Sequence, residues 1–279
     1  MSRRPSIVVL LSAAVLGAVV LVALLGNVLT PHAVTGQDLL NRLKPPAFLG
    51  GPEQYPLGTD RLGRDMVARL VAGLQMSLAV ALAGTLIGAV FGTLVGFVAA
   101  HFRGWVEEVL MMVVDFQASL PFILIALTLL AFFGNSLTLF VILMGMFGWE
   151  TYARLARGVV LSAASQPYAR AVVALGAHPV QLYGRHILPN VASALIVQIT
   201  LTFPQIILLE TSLSFLGLGI QPPNASLGQI LGDGRDYLST AWWISVWPGA
   251  LIFVITLSMS VLGDALRDRL DPMLKQRTS

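Results

Sequence analysis

The chain is expected to be an all-α integral membrane protein, and three observations carry that expectation. Hydrophobic residues make up 56% of the sequence and charged residues only 11%, where soluble domains carry about a quarter charged. Six segments are apolar over the roughly 20 residues that a bilayer crossing needs: 7–29, 75–100, 106–133, 137–160, 191–213 and 243–262. With the N-terminus inside, Arg3, Arg4, Arg103, Arg154, Arg157, Arg170, Arg185, Arg267, Arg269, Lys275 and Arg277 all fall on the cytoplasmic side, most of the 17 basic residues. An even number of crossings then places both termini in the cytoplasm.

The segments follow in order. Residues 1–29 form a short basic tail and the first span; its apolar stretch is too long for a cleaved leader and no small-x-small site follows it. Residues 30–74 form an external segment in which Arg42, Lys44, Arg61, Arg64 and Arg69 are offset by Asp38, Glu53, Asp60 and Asp65. The i,i+4 spacing of Asp60 with Arg64 and of Asp65 with Arg69 predicts a short solvated amphipathic helix capped by Thr59. Residues 75–270 form a core of five spans with a cytoplasmic loop at 166–190, and 271–279 is a cytoplasmic tail. Gly84, Gly88, Gly92 and Gly96 recur every fourth residue in the second span, a face that lets another backbone approach closely. Packing within the subunit, a subunit interface and a sliding surface all fit that seam.

Two carboxylates interrupt apolar runs, Asp115 in the third span and Glu210 in the fifth. A mid-membrane charge costs about 2.5–3.5 kcal/mol on insertion scales, so each should face protein, water or a cavity. With Gln117, Ser119, Gln198 and Gln205 they are candidate lining for a polar path. The competing reading has each bonding the backbone of a nearby kink, at Pro121 or Pro204.

Loop 168–190 reads YARAVVALGAHPVQLYGRHILPN. Ala171, Val172, Ala174 and Leu175 offer a helical surface of small and apolar residues, Gly176 permits a sharp turn, and His178-Pro179 can open a second short helix. Arg170, Arg185 and His186 place this helix-turn-helix knob on the cytoplasmic face, exposed to a partner. At the far end of the fifth span, Ser212, Ser214, Phe215, Leu216, Gly217, Leu218 and Gly219 lead into Gln221-Pro222-Pro223, where glycines and prolines force a tight turn. That turn reads as an external plug or as an ordinary span terminus.

Other chemistries are excluded. Net charge is +3 without a basic run interleaved with aromatics, so nucleic acid is not a partner. The absence of cysteine removes disulfides and thiolate metal sites. His32, His101, His178 and His186 have no metal-ligand spacing. Lys44 and Lys275 each follow leucine where a P-loop needs Gly-Lys, so any ATP hydrolysis belongs to another polypeptide.

The chain resembles the permease subunits of binding-protein-dependent ABC importers of the dipeptide/oligopeptide class, in the second-permease form. The resemblance rests on PLGTDRLGRD at 56–65, the ARAVVALG…RHILPN loop, SLSFLGLGIQPP at 212–223, GRDYL at 234–238 and LGDALRDRLDP at 262–272. It implies a type I importer-like fold of six transmembrane helices in a bacterial cytoplasmic membrane. It also implies a homologous second permease, two P-loop ATPase subunits that bind ATP and Mg, and an extracytoplasmic binding protein, with no cofactor in this chain. The loop then corresponds to the EAA motif, the coupling helix that sits in an ATPase cleft, with Ala171, Gly176, Ala177, Arg185, Ile187, Leu188 and Pro189 at motif positions. Arg170 stands where the family has glutamate, Val172 replaces the second alanine, and Leu227 replaces a tryptophan after the Pro-Pro turn. The implied mechanism is alternating access driven by the ATPases. Nickel, glutathione, opines and oligosaccharides are alternative cargo among such permeases. A stand-alone proton-coupled transporter working through Asp115 and Glu210 is the alternative from another class, although no inverted repeat relates the two halves.

Overall fold

Apolar length and capping chemistry set the helices of the computed structural model, which describes residues 6–30, 35–178 and 181–270. Arg3, Arg4, His32, Pro179 and the tail 271–279 lie outside the described residues, as does the side chain of Arg170. Helix α1 (Ile7–Leu29) is capped by Ser6, whose hydroxyl accepts from the Val9 N–H. Helix α2 (Met66–Phe102) is 37 residues long, or about 55 Å at 1.5 Å per residue, well over the ~30 Å hydrocarbon thickness. It starts before residue 75 because the Asp65 side chain accepts the Val67 N–H at 3.0 Å and caps it.

The short surface helix expected over 59–69 does not form. Thr59 and Asp65 instead make an isolated antiparallel bridge. Asp60 closes the turn by accepting from the Leu62 and Arg64 amides at 2.8 and 2.9 Å, the local side-chain bonding by which aspartate competes with helix. Thr59 is fully buried and its hydroxyl accepts from Lys44 N at 2.8 Å, so it caps nothing.

Helices α3 (Gly104–Ser119) and α4 (Phe122–Phe133) meet at an 85° bend. Pro121 supplies no N–H and holds Leu120 extended, which ends α3. Helix α5 (Leu137–Met146) is likewise separated from α6 (Trp149–Ala164) at Phe147-Gly148, where Gly148 has φ +77°. Helix α7 (Pro167–Ala174) and a π-helical turn (Leu182–Ile187) precede α8 (Leu188–Phe215), α9 (Leu227–Asp233) and α10 (Trp243–Leu270). Of the six expected spans, α1, α2, α8 and α10 are long and apolar enough to cross alone, and the bent α3–α4 pair makes a fifth. The expected span 137–160 is divided at Gly148, and its second half carries Glu150, Arg154 and Arg157, so neither half meets that test by itself.

The glycine seam has a definite direction. An added Cβ would run into Met144 at Gly84, the Gly145 and Phe147 carbonyls at Gly88, the Trp149 carbonyl and Tyr152 at Gly92, and the Ala153 carbonyl and Ala156 at Gly96. The seam therefore packs within the subunit, against α5 and α6. Two residues along, about 200° around the helix, Leu82, Leu86, Val90, Leu94 and Val98 are exposed and form an outward apolar face. One core cluster joins α2, α5, α8, α9 and α10, and a second gathers the end of α2, α6, α7 and the start of α8.

Candidate functional site

The loop that joins α6 to α8 is built on a buried base. Pro167 opens α7, and Ala169 packs with Ala156, Val160, Ala163, Leu182, Ile187 and Val191. The end of α7 is a Schellman turn: Ala177 N donates to the Val172 carbonyl at 3.3 Å and Gly176 takes φ +79°. Nothing lies within 4 Å of where a Gly176 Cβ would stand, so the constraint there is backbone sign rather than space. Tyr183 in the π-helical turn bonds His101 Nδ1 at 3.0 Å and lies against Phe97, which ties the loop to the end of α2. Burial pushes the Tyr183 phenol up, with Arg103 pulling the other way.

This base divides the expected coupling residues into two sets. Ala171, Gly176, Arg185 and Pro189 are exposed, Leu188 is partly so, and Leu175 at the tip is 87% exposed. Val172 and Ala177 are half-buried. Ile187 is fully buried, so in this conformation it anchors the loop and touches no partner. Arg170 lies on α7, its side chain outside the described residues.

The carboxylates separate as sharply. Glu210 is fully buried and lines no path. It accepts from Ser77 Oγ at 3.0 Å and Ser214 Oγ at 2.7 Å, and Ser77 Oγ in turn accepts from Leu227 N at 3.1 Å. Satisfied hydroxyl donors, rather than water, are what permit a polar group at this depth. The result is a polar knot tying α2, α8 and the start of α9. Asp115, by contrast, is open and faces Arg154 of α6. Gln117 reaches the Met146 carbonyl at 2.9 Å, while Ser119 bonds the Phe116 carbonyl of its own helix. Gln198 bonds Thr202 within α8, and Gln205 is exposed. The six candidate path residues therefore do not converge on one surface.

At the other end of α8, Leu218 N donates to the Leu213 carbonyl and Gly217 N to Ser214, with Gly217 at φ +82°. Gly219 and Gly228 have no room for a side chain against Ser214 and Thr211, so the turn and α9 press directly on α8. Ser212, Phe215, Leu216 and Gly217 are exposed, Leu218 is half-buried, and Ser214 is buried. A cavity of about 410 Å³ opens here, lined by Arg61, Phe215, Gln221, Gln229, Asp233 and Arg235 among others.

Sequence reasoning missed the ion cluster beneath this cavity. Arg69, 1% exposed, donates Nη1 to Asp60 at 2.7 Å and Nη2 to Asp233 at 3.1 Å, and Arg64 Nε reaches Asp60 at 2.6 Å. The i,i+4 charges at 60–69 hinted at pairing, but nothing local pointed to Asp233.

Residues 92–276 match the family model for the inner membrane component of binding-protein-dependent transport systems. The chain belongs to that family. Among curated relatives, the Pseudomonas aeruginosa di/tripeptide transport system permease protein DppC is 36% identical over 84% of this chain and 77% of its own length. The Bacillus subtilis dipeptide permease DppC is 35% identical over 91% and 78%, and the Mycobacterium tuberculosis oligopeptide permease OppC 34% over 88% and 83%. Among solved structures, a chain of the MetNI methionine ABC transporter in an inward-facing conformation aligns with TM-score 0.59 at 20% identity, covering 74% of this chain and 98% of that one. That likeness shows the fold, a type I importer permease. As an inner membrane component of this family, the chain is a multi-pass membrane protein whose long apolar helices fit the role.

Proposed function

We propose that the chain is the second permease of an ATP-driven importer of dipeptides and oligopeptides and forms half of the translocation path. Its partners are a homologous permease, two cytoplasmic ATPase subunits that hold ATP and Mg, and an extracytoplasmic binding protein. Both termini lie in the cytoplasm. The observation that supports coupling most directly is the α7 knob, in which exposed Ala171, Leu175 and Gly176 project from a base buried against α2, α6 and α8. A force applied at the knob reaches three long helices through packed side chains, which is what a bistable bundle biased by ATPase closure requires. Exposed Arg185 gives the partner cleft a basic group to meet, which favours an acidic rim on the ATPase. The cargo class rests on the peptide permeases among the relatives.

Gly176→Glu tests the coupling role. It imposes a side chain on a left-handed residue at the tip, so ATPase capture by the purified permease pair, or ATP-dependent uptake, should be lost while the permease pair itself still assembles. Unchanged ATPase capture and uptake would remove the knob from the mechanism. Uptake of labelled dialanine, with nickel and an oligosaccharide in parallel, tests the cargo.

A further inference from the structure

Two ion pairs join α3 to α6, and they differ in kind. The first is a clamp: Arg157 holds Glu107 through both Nε and Nη2, and Glu107 is mostly buried. The second is open and singly bonded, Arg154 Nη1 standing 3.3 Å from Asp115 Oδ1 with side chains 48% and 67% exposed. At 1.5 Å per residue, Asp115 lies about 16 Å along α3 from Gly104, and Arg154 about 15 Å along α6 from Ala164. Both helix ends are cytoplasmic in the proposed topology. With both of those ends at the interface, the two distances put the open pair about halfway into a hydrocarbon layer about 30 Å thick, deeper than the cytoplasmic face to which the sequence assigned Arg154. Charges exposed at that depth face water or protein, because hydrocarbon strongly disfavours them.

The same ruler puts two helix breaks deeper, at about 24 Å, where α3 ends at Leu120-Pro121 and where α5 and α6 part at Phe147-Gly148. Gln117, shortly before the α3 break at Leu120-Pro121, donates to Met146, the last residue of α5 before the break at Gly148. Interrupted helices are a recurrent way of building transport sites, since freed backbone inside the membrane is tolerated only beside protein or a water-filled cavity. Here an exposed opposite-charge pair lies one to two turns from the abutting breaks, on the cytoplasmic side of them in the proposed topology.

We propose that Asp115 and Arg154 form a zwitterion station on the translocation path, resting on the peptide-import reading above. Asp115 receives the ammonium of a passing peptide and Arg154 its terminal carboxylate. An extended dipeptide spans about 7 Å, so the pair parts as the peptide enters and closes behind it. The salt bridge in the empty state keeps both charges paired, and Glu107–Arg157 holds the two helices together meanwhile.

The test uses the assembled transporter in proteoliposomes with its binding protein, and a charge-swapped chain, Asp115→Arg with Arg154→Asp. The swap restores the ion pair but reverses its polarity toward a ligand bound in one orientation. Dialanine uptake should fall about tenfold or more, as expected for losing charged hydrogen bonds, while binding-protein-stimulated ATP hydrolysis persists. Full uptake by the swapped transporter overturns the station and leaves a purely structural pair. The absence of cysteine from this chain permits a second readout, Ala118→Cys labelled by a charged, membrane-impermeant thiosulfonate supplied on both faces. Labelling of this subunit in the full complex, slowed by dialanine, is expected, and it decides the matter even if the swap fails to assemble. No labelling in the complex means that lipid or the second permease covers the site, and overturns it. Failure of the unmutated transporter to take up dialanine overturns the peptide reading itself and the ligand class with it, whereas normal uptake with a neutral swap overturns the station alone.

Discussion

Arg69→Met isolates the buried ion cluster that fastens segment 38–65 to α9. Methionine approximates the arginine stem in length but removes two charged donors, one to Asp60 at 2.7 Å and one to Asp233 at 3.1 Å. Removing one partner from a buried pair costs about 3–5 kcal/mol because the other charge is left uncompensated. Asp60 keeps Arg64 Nε at 2.6 Å and the amides of Leu62 and Arg64. Asp233 is left with Arg61 at 3.6 Å and Arg64 at 4.0 Å, but it is 19% exposed and can recruit water. The low end, about 3 kcal/mol, therefore applies. At roughly 2–4 °C per kcal/mol for a chain near this size, thermal unfolding of the purified permease should shift down by about 6–12 °C. Hydrogen exchange should rise first over 38–65 and α9, the two elements the guanidinium joins. A cycle with Asp233→Asn should give an interaction energy of about 1 kcal/mol or more. Additive effects, or an Arg69→Met protein that melts with the wild type, would refute the claim that this guanidinium holds the two elements together.

Three further outcomes follow from the packing. Gly92→Val sets a branched side chain against the Trp149 carbonyl and Tyr152 and should destabilise by at least the ~1–3 kcal/mol of ordinary overpacking, whereas Gly17→Val on α1, with open space around it, should leave the melting temperature nearly unchanged. Ser77→Ala removes a donor to Glu210 and an acceptor for Leu227 N, so exchange at the start of α9 should quicken, by a local loss of about 1–3 kcal/mol. Tyr183→Phe keeps the contact with Phe97 but loses the His101 bond, worth about 0.5–1.5 kcal/mol; limited proteolysis of loop 166–190 should accelerate while the melting temperature stays put.

Much of the fold was legible because it is written in neighbouring residues. The apolar spans, the Gly176 and Gly217 turns and the kink at Pro121 each follow from apolar runs, positive-φ glycines or a proline acting on adjacent backbone, whereas the break after Met146 divides 137–160, a stretch that reads as one span. The turn at Gly176 in the proposed coupling loop was legible for the same reason, while the burial of Ile187 was not. Residues 59–69 misled, since i,i+4 charges fit a helix as well as they fit the Asp60-centred turn, and only burial of Asp60 and Arg69 separates the two. Glu210 misled as well, because a carboxylate in an apolar span reads alike whether it meets water or serine hydroxyls.

By itself the sequence determined an all-helical membrane protein, its likeness to importer permeases, and a loop turning on Gly176. Tertiary structure decided which way the glycine seam faces, that Glu210 is an interior tie, and that Asp115 of α3 meets Arg154 of α6. It also joined Ser77 to Glu210 and Arg69 to Asp233, residues 133 and 164 positions apart. The physical reason is range. Caps, turns and apolar periodicity act over a few residues of chain, whereas a buried charge is tolerated or exposed according to partners that distant segments deliver only when the helices pack.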